Sequence, residues 1–309
     1  MSYHIIDIST NNSALSVKDG KLVCRNSEFG AKQLPMEDIG AILINCFSAN
    51  LHSSFLIEAA KKKIAVILCE KFRPVSMVLP VQRSSDTLLT RAQIQMPKRC
   101  LRSMWQATID AKCANQYEFL SRIPNVDEQA LADFRISMNA DTVAKEGNCA
   151  RIYWNLFSNA LEIEGFRRLT QSDGLNSLLN YGYSVLLLRI EQKLLACGLD
   201  PLYGMGHMVR ERSLPLAYDM MEPFRPVVDE QIYKWIKDSN GAEESFRVEK
   251  PFKTMIQGLM QLRFPFRKAR AISLDKIVEQ TMKSYREALL FGKPAKYEPW
   301  IRRNSKWDG

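Results

Sequence analysis

The hydrophobic residues follow two different periods along the chain. Through roughly the first 80 residues they alternate with polar residues or form short runs, which is typical of β-strands. Asp19-Gly20 separates two of these segments and suits a tight hairpin, because Gly tolerates a positive φ. Asn50 precedes a segment with helical spacing, so we expect it to be the N-cap. The predicted strands are 3–9, 14–17, 21–24, 39–45 and 64–69, and the predicted helix is 51–62.

After this region the hydrophobic residues recur at intervals of three and four, which indicates amphipathic helices. Gly198 follows the fifth of them and suits a C-cap. We therefore predict an α+β protein, with a small N-terminal β-sandwich-like domain with one helix at 1–83 and a larger all-α domain at 87–309. We expect the tail after Lys293 to be loosely ordered. The predicted helices are 87–95, 98–121, 128–138, 140–158, 175–196, 215–221, 226–237, 250–262 and 274–291.

The composition narrows the class of protein. With 43 Lys and Arg against 34 Asp and Glu, the chain carries a formal charge of +9, which favours nucleic acid or an anionic membrane surface as a partner. No apolar run approaches the roughly 20 residues of a membrane helix, and the first residues lack a secretion signal. The 7 cysteines have no paired spacing, so we expect reduced thiols in a prokaryotic cytoplasm and neither a zinc site nor a cysteine nucleophile.

Two isolated residues are candidates for chemistry. Glu146 is predicted to lie mid-helix at the edge of the buried face, where an ionised carboxylate needs a compensating partner. Gly147 follows it, and a helix-interior Gly, which costs about 1 kcal/mol relative to Ala, serves close packing or the approach of another group. His207 follows Gly204 and Gly206 in a turn between helices. It is either aimed at a site from that turn or a surface loop histidine.

Asp219 and Glu222 form the third candidate feature. Their spacing of three places both carboxylates on one helix face, roughly 5–6 Å apart, where they repel unless a cation or proton intervenes. Pro223 is expected to end or kink the helix and open the pair to a cleft. The alternative is a solvated acidic face. Carboxylates and imidazole together suit Mg²⁺ or Mn²⁺, which in a basic protein suggests phosphoryl transfer on nucleic acid.

Several motifs in a fixed order resemble one family. The stretch 176–232 runs from NSLLNYGY through GLDP and GMGH to DMMEPFRPVVD, and EGNCARIY at 146–153 matches as well. Together with the INCFSANLHSSFLIEAAKKKIAVILCE segment, these motifs resemble the CRISPR spacer-acquisition integrase family, Cas one in words. The likeness spans nearly the whole chain, and it is similar to the branch that accompanies type II CRISPR systems.

The resemblance implies a β-rich dimerisation domain and a helical catalytic domain that binds a divalent metal, Mg²⁺ or Mn²⁺. Carried over by position, the catalytic metal ligands are Glu146, His207 and Glu222, with Asp219 as a supporting or alternative ligand. The implied reaction is attack by a 3′-hydroxyl of spacer DNA on a phosphodiester of the CRISPR repeat, with related endonuclease activity. The implied partners are DNA, a second copy of the chain, the small Cas two protein that bridges two dimers, and other type II CRISPR proteins.

Three arginines are candidates for binding DNA phosphates. Arg210 and Arg212 lie within five residues of His207, and Arg189 lies on the helix that contains the NYGY motif. Two other functions stay open beside the integrase. One is a metal-free architectural subunit that binds DNA. The other is a metal-dependent DNA nuclease that does not integrate, and only the family resemblance separates it from the integrase.

Overall fold

The strands occupy the N-terminal quarter of the chain and long helices most of the rest, so the predicted α+β class is confirmed. The computed structural model describes residues 4–62, 64–70, 73–78, 84–142, 144–169, 174–207, 214–239, 241–266 and 269–302. The strands are β1 His4–Ile8, β2 Ser13–Lys18, β3 Lys21–Asn26, β4 Gly30–Pro35, β5 Ile39–Ile44, β6 Ala49–Leu51, β7 Ala65–Glu70, β8 Arg73–Val78, β9 Arg263–Phe266 and β10 Ala269–Ser273. The helices are α1 Ser53–Lys61, α2 Ser84–Gln95, α3 Lys98–Leu120, α4 Glu128–Asn139, α5 Lys145–Ala160, α6 Gly174–Ala196, α7 Pro215–Met221, α8 Arg225–Asp238, α9 Lys250–Gln257 and α10 Leu274–Phe291.

Two four-stranded sheets form the N-terminal domain. One has the order β1-β5-β7-β8 and the other β4-β3-β2-β6. In the first sheet β1, β5 and β7 run parallel, and β8 is antiparallel to β7. The hairpin of β2 and β3 turns at Asp19 and Gly20, both with positive φ, as the sequence predicted. The domain therefore combines a mixed sheet with a largely antiparallel one.

The mixed sheet is covered on both faces. Ile42 and Ile44 belong to the core that also contains Phe55 of α1, whereas Leu43 and Ile67 pack against α6. Burial on both faces explains why β5 and β7 are continuous apolar runs rather than alternating ones. The α6 end of the helical domain therefore rests directly on the sheet.

Polar contacts fix this junction between the two domains. Gln192 donates from Nε2 to Asn45 Oδ1 at 2.6 Å, and Arg189 Nη1 lies 3.1 Å from Asp7 Oδ2. These pairs join α6 to the mixed sheet beside the apolar contacts of Leu195. The orientation of α6 is thus set by directional bonds as well as by burial.

Helix α6 is the centre of the helical domain and packs against α7, α8 and α10. A Cβ on Gly182 would lie 2.4 Å from Val228 Cγ1, so glycine permits the close approach of α6 and α8. Although α6 is long and apolar, no described helix has the length and apolar character needed to span a bilayer.

The structure corrects several local predictions. Asn50 lies in β6, and the N-cap of α1 is His52, which makes no side-chain capping bond. Helix α5 starts at Lys145 rather than at residue 140, which places Glu146 in its first turn. The hairpin of β9 and β10 adds two strands to a domain predicted to be all helical. The strands β4, β6 and β8 were not predicted either.

Residues 294–302 pack against the helical domain, so the prediction of a loosely ordered tail is wrong over this stretch. Trp300 is buried and stacks on Phe224, with ring centroids 5.6 Å apart. Asn115 of α3 donates to the carbonyls of Pro223 at 2.7 Å and Trp300 at 3.0 Å, and it accepts from the Arg302 backbone N–H at 2.7 Å. This C-terminal segment therefore contacts the turn that follows α7.

Candidate active site

One face of α3 forms the wall of the candidate site. Trp105, Thr108, Lys112 and Asn115 recur at intervals of three and four, so they lie on one side of the helix. That side packs against α7 and the 3-10 turn Glu222–Phe224 that follows it. The helix thereby brings an aromatic ring, a hydroxyl, an ammonium and an amide to the segment that contains the predicted acidic residues.

Glu146 and Glu222 meet at one ammonium group. Lys112 Nζ lies 2.7 Å from Glu146 Oε1 and 2.8 Å from Glu222 Oε2. The Glu146 carboxylate reaches this point from the first turn of α5 with 43% of its side chain exposed, whereas the Glu222 side chain is only 5% exposed. The two carboxylates predicted to bind one divalent ion therefore share a lysine ammonium in the structure, and their role as metal ligands stays a prediction.

Electrostatics keep these groups charged. Burial alone would raise the pKa of Glu222, but Lys112 and Arg225 outweigh it and the pKa is lowered. Burial alone would lower the pKa of Lys112, but the carboxylates of Glu222 and Glu146 outweigh it and the pKa is raised. Arg225 Nε lies 3.0 Å from Glu222 Oε1 on the other side. Glu222 is thus an ionised buried carboxylate between two cations.

Asp219 holds the turn that contains His207. Its Oδ2 accepts from the backbone N–H groups of Met205 and Gly206, and its Oδ1 accepts from the His207 N–H at 3.0 Å. The same Oδ1 lies 2.6 Å from Nδ1 of the His207 ring. Asp219 is completely buried, so these contacts replace its hydration. Asp219 and Glu222 therefore do not share one cation, since Asp219 contacts the turn of His207 and Glu222 contacts Lys112 and Arg225. The alternative of a solvated acidic face is wrong, because both side chains are buried.

The contact with Asp219 selects which ring nitrogen of His207 is available. A carboxylate at Nδ1 favours the tautomer with its proton there, which leaves the Nε2 lone pair free for a ligand. Among the described residues, Nε2 has no hydrogen-bond partner. The bond to Asp219 raises the pKa of His207 against the opposing effect of burial. Of the two open readings, the structure favours a histidine aimed at a site.

Glycines in the turn let it pass close to α3. A Cβ on Gly206 would lie 2.2 Å from the ring of Trp105, and the Trp105 and His207 rings meet edge to face at 5.4 Å. Gly147 has no such role, since a Cβ there would meet nothing within 4 Å. Of the two roles predicted for Gly147, close packing is therefore wrong, because the residue lies in an open first turn of α5. The approach of another group to its backbone stays a prediction.

A third buried carboxylate, Asp229, is linked to the site, and the sequence predicted no role for it. Asp229 accepts from Tyr153 Oη at 2.7 Å and from Tyr183 Oη at 2.5 Å. Burial raises its pKa to about 6 against the opposing effect of the two hydroxyls. The guanidinium of Arg225 lies 4.6 Å from the Tyr183 ring, which links this cluster to Glu222. The FRPVVD motif was the available signal, since it contains both Arg225 and Asp229.

The three predicted phosphate-binding arginines have different outcomes. Arg210 and Arg212 lie outside the described residues. Arg189 is paired with Asp7 at the contact between the domains, with 17% of its side chain exposed. That placement favours a structural role over phosphate binding, because a phosphate would have to displace Asp7. The exposed Lys98, Arg99 and Arg102 lie instead near the start of α3, the helix that contains Lys112.

The predicted ligands are chemically suited to a divalent ion, but their side chains do not surround one common position. Within the described part of the chain, no three His, Cys, Asp or Glu side chains are close enough to bind one metal ion. Glu222 Oε2 is nevertheless buried and accepts no well-formed hydrogen bond, so it retains acceptor capacity beside Lys112. Two carboxylates and the Nε2 of His207 are ligands that Mg²⁺ or Mn²⁺ accepts. Lys112 stands between the two carboxylates.

One known protein family matches most of this chain. The family described as CRISPR associated protein Cas1 matches residues 6–258, which include strands of both sheets and the whole candidate site. The chain belongs to the Cas1 family. This confirms the family resemblance of the motifs, while membership of the type II branch stays a prediction.

Similar Cas1 proteins occur in both Korarchaeum cryptofilum and Neisseria meningitidis. A protein of Korarchaeum cryptofilum (strain OPF8) named CRISPR-associated endonuclease Cas1 is 36% identical over 103 residues, which is 31% of this chain and 30% of that protein. A protein of the same name from Neisseria meningitidis serogroup C (strain 8013) is 26% identical over 224 residues, 71% of each chain. This chain thus matches less than a third of the Korarchaeum protein and 71% of the Neisseria protein.

Solved structures share the fold over almost the full length. A casposase bound to an integration product superposes with a TM-score of 0.71 at 19% identity, covering 97% of this chain and 99% of that one. A CAS1 protein from Thermotoga maritima gives 0.70 at 18% identity, covering 94% and 97%. A chain of a partial Cas6-RT-Cas1–Cas2 complex gives 0.78 at 16% identity, covering 98% and 100%. At these identities the likeness establishes the Cas1 fold.

Proposed function

We propose that this Cas1 protein is a metal-dependent DNA integrase of CRISPR adaptation, which joins the 3′-hydroxyl ends of short spacer DNA to a repeat and has related endonuclease activity. The observation that carries the proposal is the meeting of Glu146 and Glu222 at Lys112, in a site whose histidine is oriented by Asp219. The names of the relatives as endonucleases and the casposase bound to its integration product support the same chemistry.

Each residue of the site has a separate proposed role in binding or orienting the metal. Glu146, Glu222 and His207 would hold the divalent ion, Mg²⁺ or Mn²⁺. When bound, such an ion polarises a phosphodiester and lowers the pKa of an attacking hydroxyl or water. Asp219 keeps the His207 ring in the orientation that presents Nε2, and Arg225 keeps Glu222 ionised. Attack by a 3′-hydroxyl gives joining, and attack by water gives cleavage.

DNA and protein partners follow from charge and from the relatives. The exposed cations near the start of α3 suit the phosphates of DNA that enters the site. Arg210 and Arg212 stay predicted phosphate ligands because they lie only three and five residues after His207 in the sequence. The structures named for a Cas1–Cas2 complex and a Cas1–DNA complex support Cas2 and DNA as partners, and a homodimer is part of the same proposal.

An integration assay tests the proposal. Purified protein with its Cas2 partner is incubated with spacer duplex and a supercoiled plasmid that carries a repeat, in Mg²⁺ or Mn²⁺. We expect Glu146→Ala, His207→Ala and Glu222→Ala each to reduce joining to background, because each removes a proposed metal ligand. Chelation of the metal should do the same to the wild-type protein.

A matched control separates the loss of a ligand from the loss of a surface charge. Glu162→Ala removes a carboxylate that is 85% exposed and pairs only with Lys237 among the described residues. It should leave joining at the wild-type rate. Circular dichroism must show that all four variants are folded. Full integration by any two of the three ligand variants would show that the assignment is wrong. DNA binding without joining or cleavage in either metal would favour the architectural alternative, and metal-dependent cleavage without joining would favour the nuclease.

A further inference from the structure

The described contacts of Lys112 are unusual for a lysine that only stabilises a fold. Its Nζ bridges carboxylates from two separate elements, α5 and the turn after α7, while its side chain is only 14% exposed. Helices α3 and α5 are already joined nearby by Lys145 and Asp110, whose charged atoms lie 2.6 Å apart. Glu222 already has a second cation in Arg225. Neither the helix pair nor the buried carboxylate therefore depends on Lys112 alone.

The two carboxylates proposed to bind the metal are balanced by two cations before any metal arrives. The carboxylates of Glu146 and Glu222 are matched by Lys112 and Arg225, each in direct contact with at least one of them. A divalent ion bound to both carboxylates would therefore leave a positive surplus in a partly buried site. Such a surplus is unfavourable unless a cation moves away or an anion enters.

We propose that Lys112 is a resident cation of the metal site. It bridges Glu146 and Glu222 in the free protein and yields them to the divalent ion. The released ammonium then pairs with an incoming phosphate. This inference rests on the proposed function and adds a coupling to it: Lys112 weakens metal binding by the free protein, and DNA relieves that competition. The arrangement also explains why the described ligands do not surround one point, since Nζ stands between the two carboxylates.

Competition of this kind has a measurable sign. Removing the ammonium while keeping the length and apolar stem, as in Lys112→Met, should make Mn²⁺ bind more tightly to the free protein. Coupling energies between two sites correspond to factors of roughly 5 to 150, so we expect a gain of at least about fivefold in affinity. A lysine that merely stabilised the fold would give no gain, and a lysine that helped to form the site would give a loss.

Isothermal titration calorimetry with Mn²⁺, on the full chain without DNA, tests whether Lys112 competes with the metal. Lys112→Met is compared with the wild type, with Lys112→Arg, which keeps the charge, and with Lys145→Met, which removes a neighbouring buried ammonium that touches Asp110 instead. We expect tighter binding in Lys112→Met and unchanged binding in the other two. Equal or weaker binding of Mn²⁺ by Lys112→Met would overturn the inference.

A second arm tests the release of the ammonium. Adding a short DNA duplex should tighten Mn²⁺ binding to the wild type by a larger factor than to Lys112→Met, because only the wild type has an ammonium that needs a phosphate. Equal tightening of both proteins would overturn this part. If Lys112→Met is unfolded without metal, recovery of the folded circular dichroism spectrum on adding Mn²⁺ supports the inference, and failure to recover at any Mn²⁺ concentration contradicts it.

The same titration separates failure of this inference from failure of the proposed function. If the wild type does not bind Mn²⁺, or if Glu146→Gln and Glu222→Gln bind it equally well, the metal site itself is wrong. If binding requires both carboxylates but is indifferent to Lys112, only the role of Lys112 is wrong.

Discussion

Two buried carboxylates, seven residues apart, are stabilised in opposite ways. Glu222 contacts two cations and has a lowered pKa, whereas Asp229 contacts two tyrosine hydroxyls and has a pKa raised to about 6. The side chain of Glu222 lies next to the partly exposed Glu146, while Asp229 is enclosed by aromatic residues of α5 and α6. A carboxylate kept ionised beside cations suits ligand binding, and one held by neutral hydroxyls suits a rigid support. Arg225 lies between them and lets the second cluster position the first.

The largest expected difference is in activity. Glu222→Gln should reduce joining to background, because an amide is a poor substitute for a carboxylate on a hard divalent ion. Asp229→Asn should retain most of the joining rate, because its oxygen can still accept from the tyrosines. The measurement is the initial rate of integration with both proteins shown to be folded. Equal losses of integration rate in the two variants would mean that Asp229 takes part in the chemistry. The proposed difference in role between Asp229 and Glu222 would then be wrong.

Stability should depend on pH through Asp229 but not through Glu222 near neutrality. Because the folded pKa of Asp229 is about 6 and its usual value is 3.8, the folded state binds the proton more tightly. Its contribution is fully favourable below the unfolded pKa and is lost as the pH rises through about 6. Relative to Asp229→Asn, the wild type should therefore gain about 2 kcal/mol between pH 7.5 and pH 4.5.

The matched measurement uses Glu222→Gln under the same metal-free conditions. The lowered pKa of Glu222 means that its stabilisation is present above 4.5 and is lost only as the pH falls through the lower folded value. The difference in free energy of unfolding between wild type and Glu222→Gln should thus change by only about 0.4 kcal/mol from pH 7.5 to pH 4.5, where half of the unfolded carboxyl is protonated. Urea denaturation at each pH measures both differences. A constant difference for Asp229→Asn would show that Asp229 is ionised like Glu222.

Asp219 should show an intermediate effect, since it acts through His207. An asparagine there would place an amide N–H against two backbone N–H groups or against the His207 ring, and the turn would lose part of its support. Replacing a residue that orients a metal ligand typically costs 10–100-fold, so Asp219→Asn should lower the joining rate by about that factor. A loss as complete as that of Glu222→Gln would instead promote Asp219 to a ligand.

The smallest expected effect comes from one tyrosine. Tyr183→Phe removes a hydroxyl bonded to Asp229 at 2.5 Å and leaves Tyr153 as the remaining donor. The free energy of unfolding at pH 7.5 should fall by about 1–3 kcal/mol, because a buried acceptor loses a donor. Chemical denaturation measures it, and the loss should shrink at low pH as Asp229 takes up its proton. A loss that grows towards low pH would contradict this account of the cluster.

The sequence was most informative where burial creates a strong period. The bounds of α7 and α10 were predicted to the residue. Helix α7 begins at Pro215 and is buried almost throughout, and α10 has a clear apolar stripe between the caps Ser273 and Gly292. The edge strand β4 was missed because it is largely exposed and has little alternation. The edge strand β1 was predicted, because Ile6 and Ile8 lie on one face, so an edge strand is hidden only where neither face is buried.

The site was predictable only in part for a similar reason. Local spacing and motif order found Glu146, His207, Asp219 and Glu222, but spacing alone gave Asp219 the wrong neighbour. Lys112 lies 34 residues from Glu146 in sequence, and no local pattern marks it as their shared contact. A contact made by the tertiary fold leaves no periodic trace in the chain.

The amide of Asn115 has a consequence for how the protein is made. Its partners at Trp300 and Arg302 lie 185 and 187 residues further along the chain, and the same amide holds the carbonyl beside Glu222. A nascent chain still inside the ribosome at these positions cannot complete that bond network. The turn that presents Glu222 therefore acquires its full set of hydrogen bonds only after residues 300–302 have been synthesised.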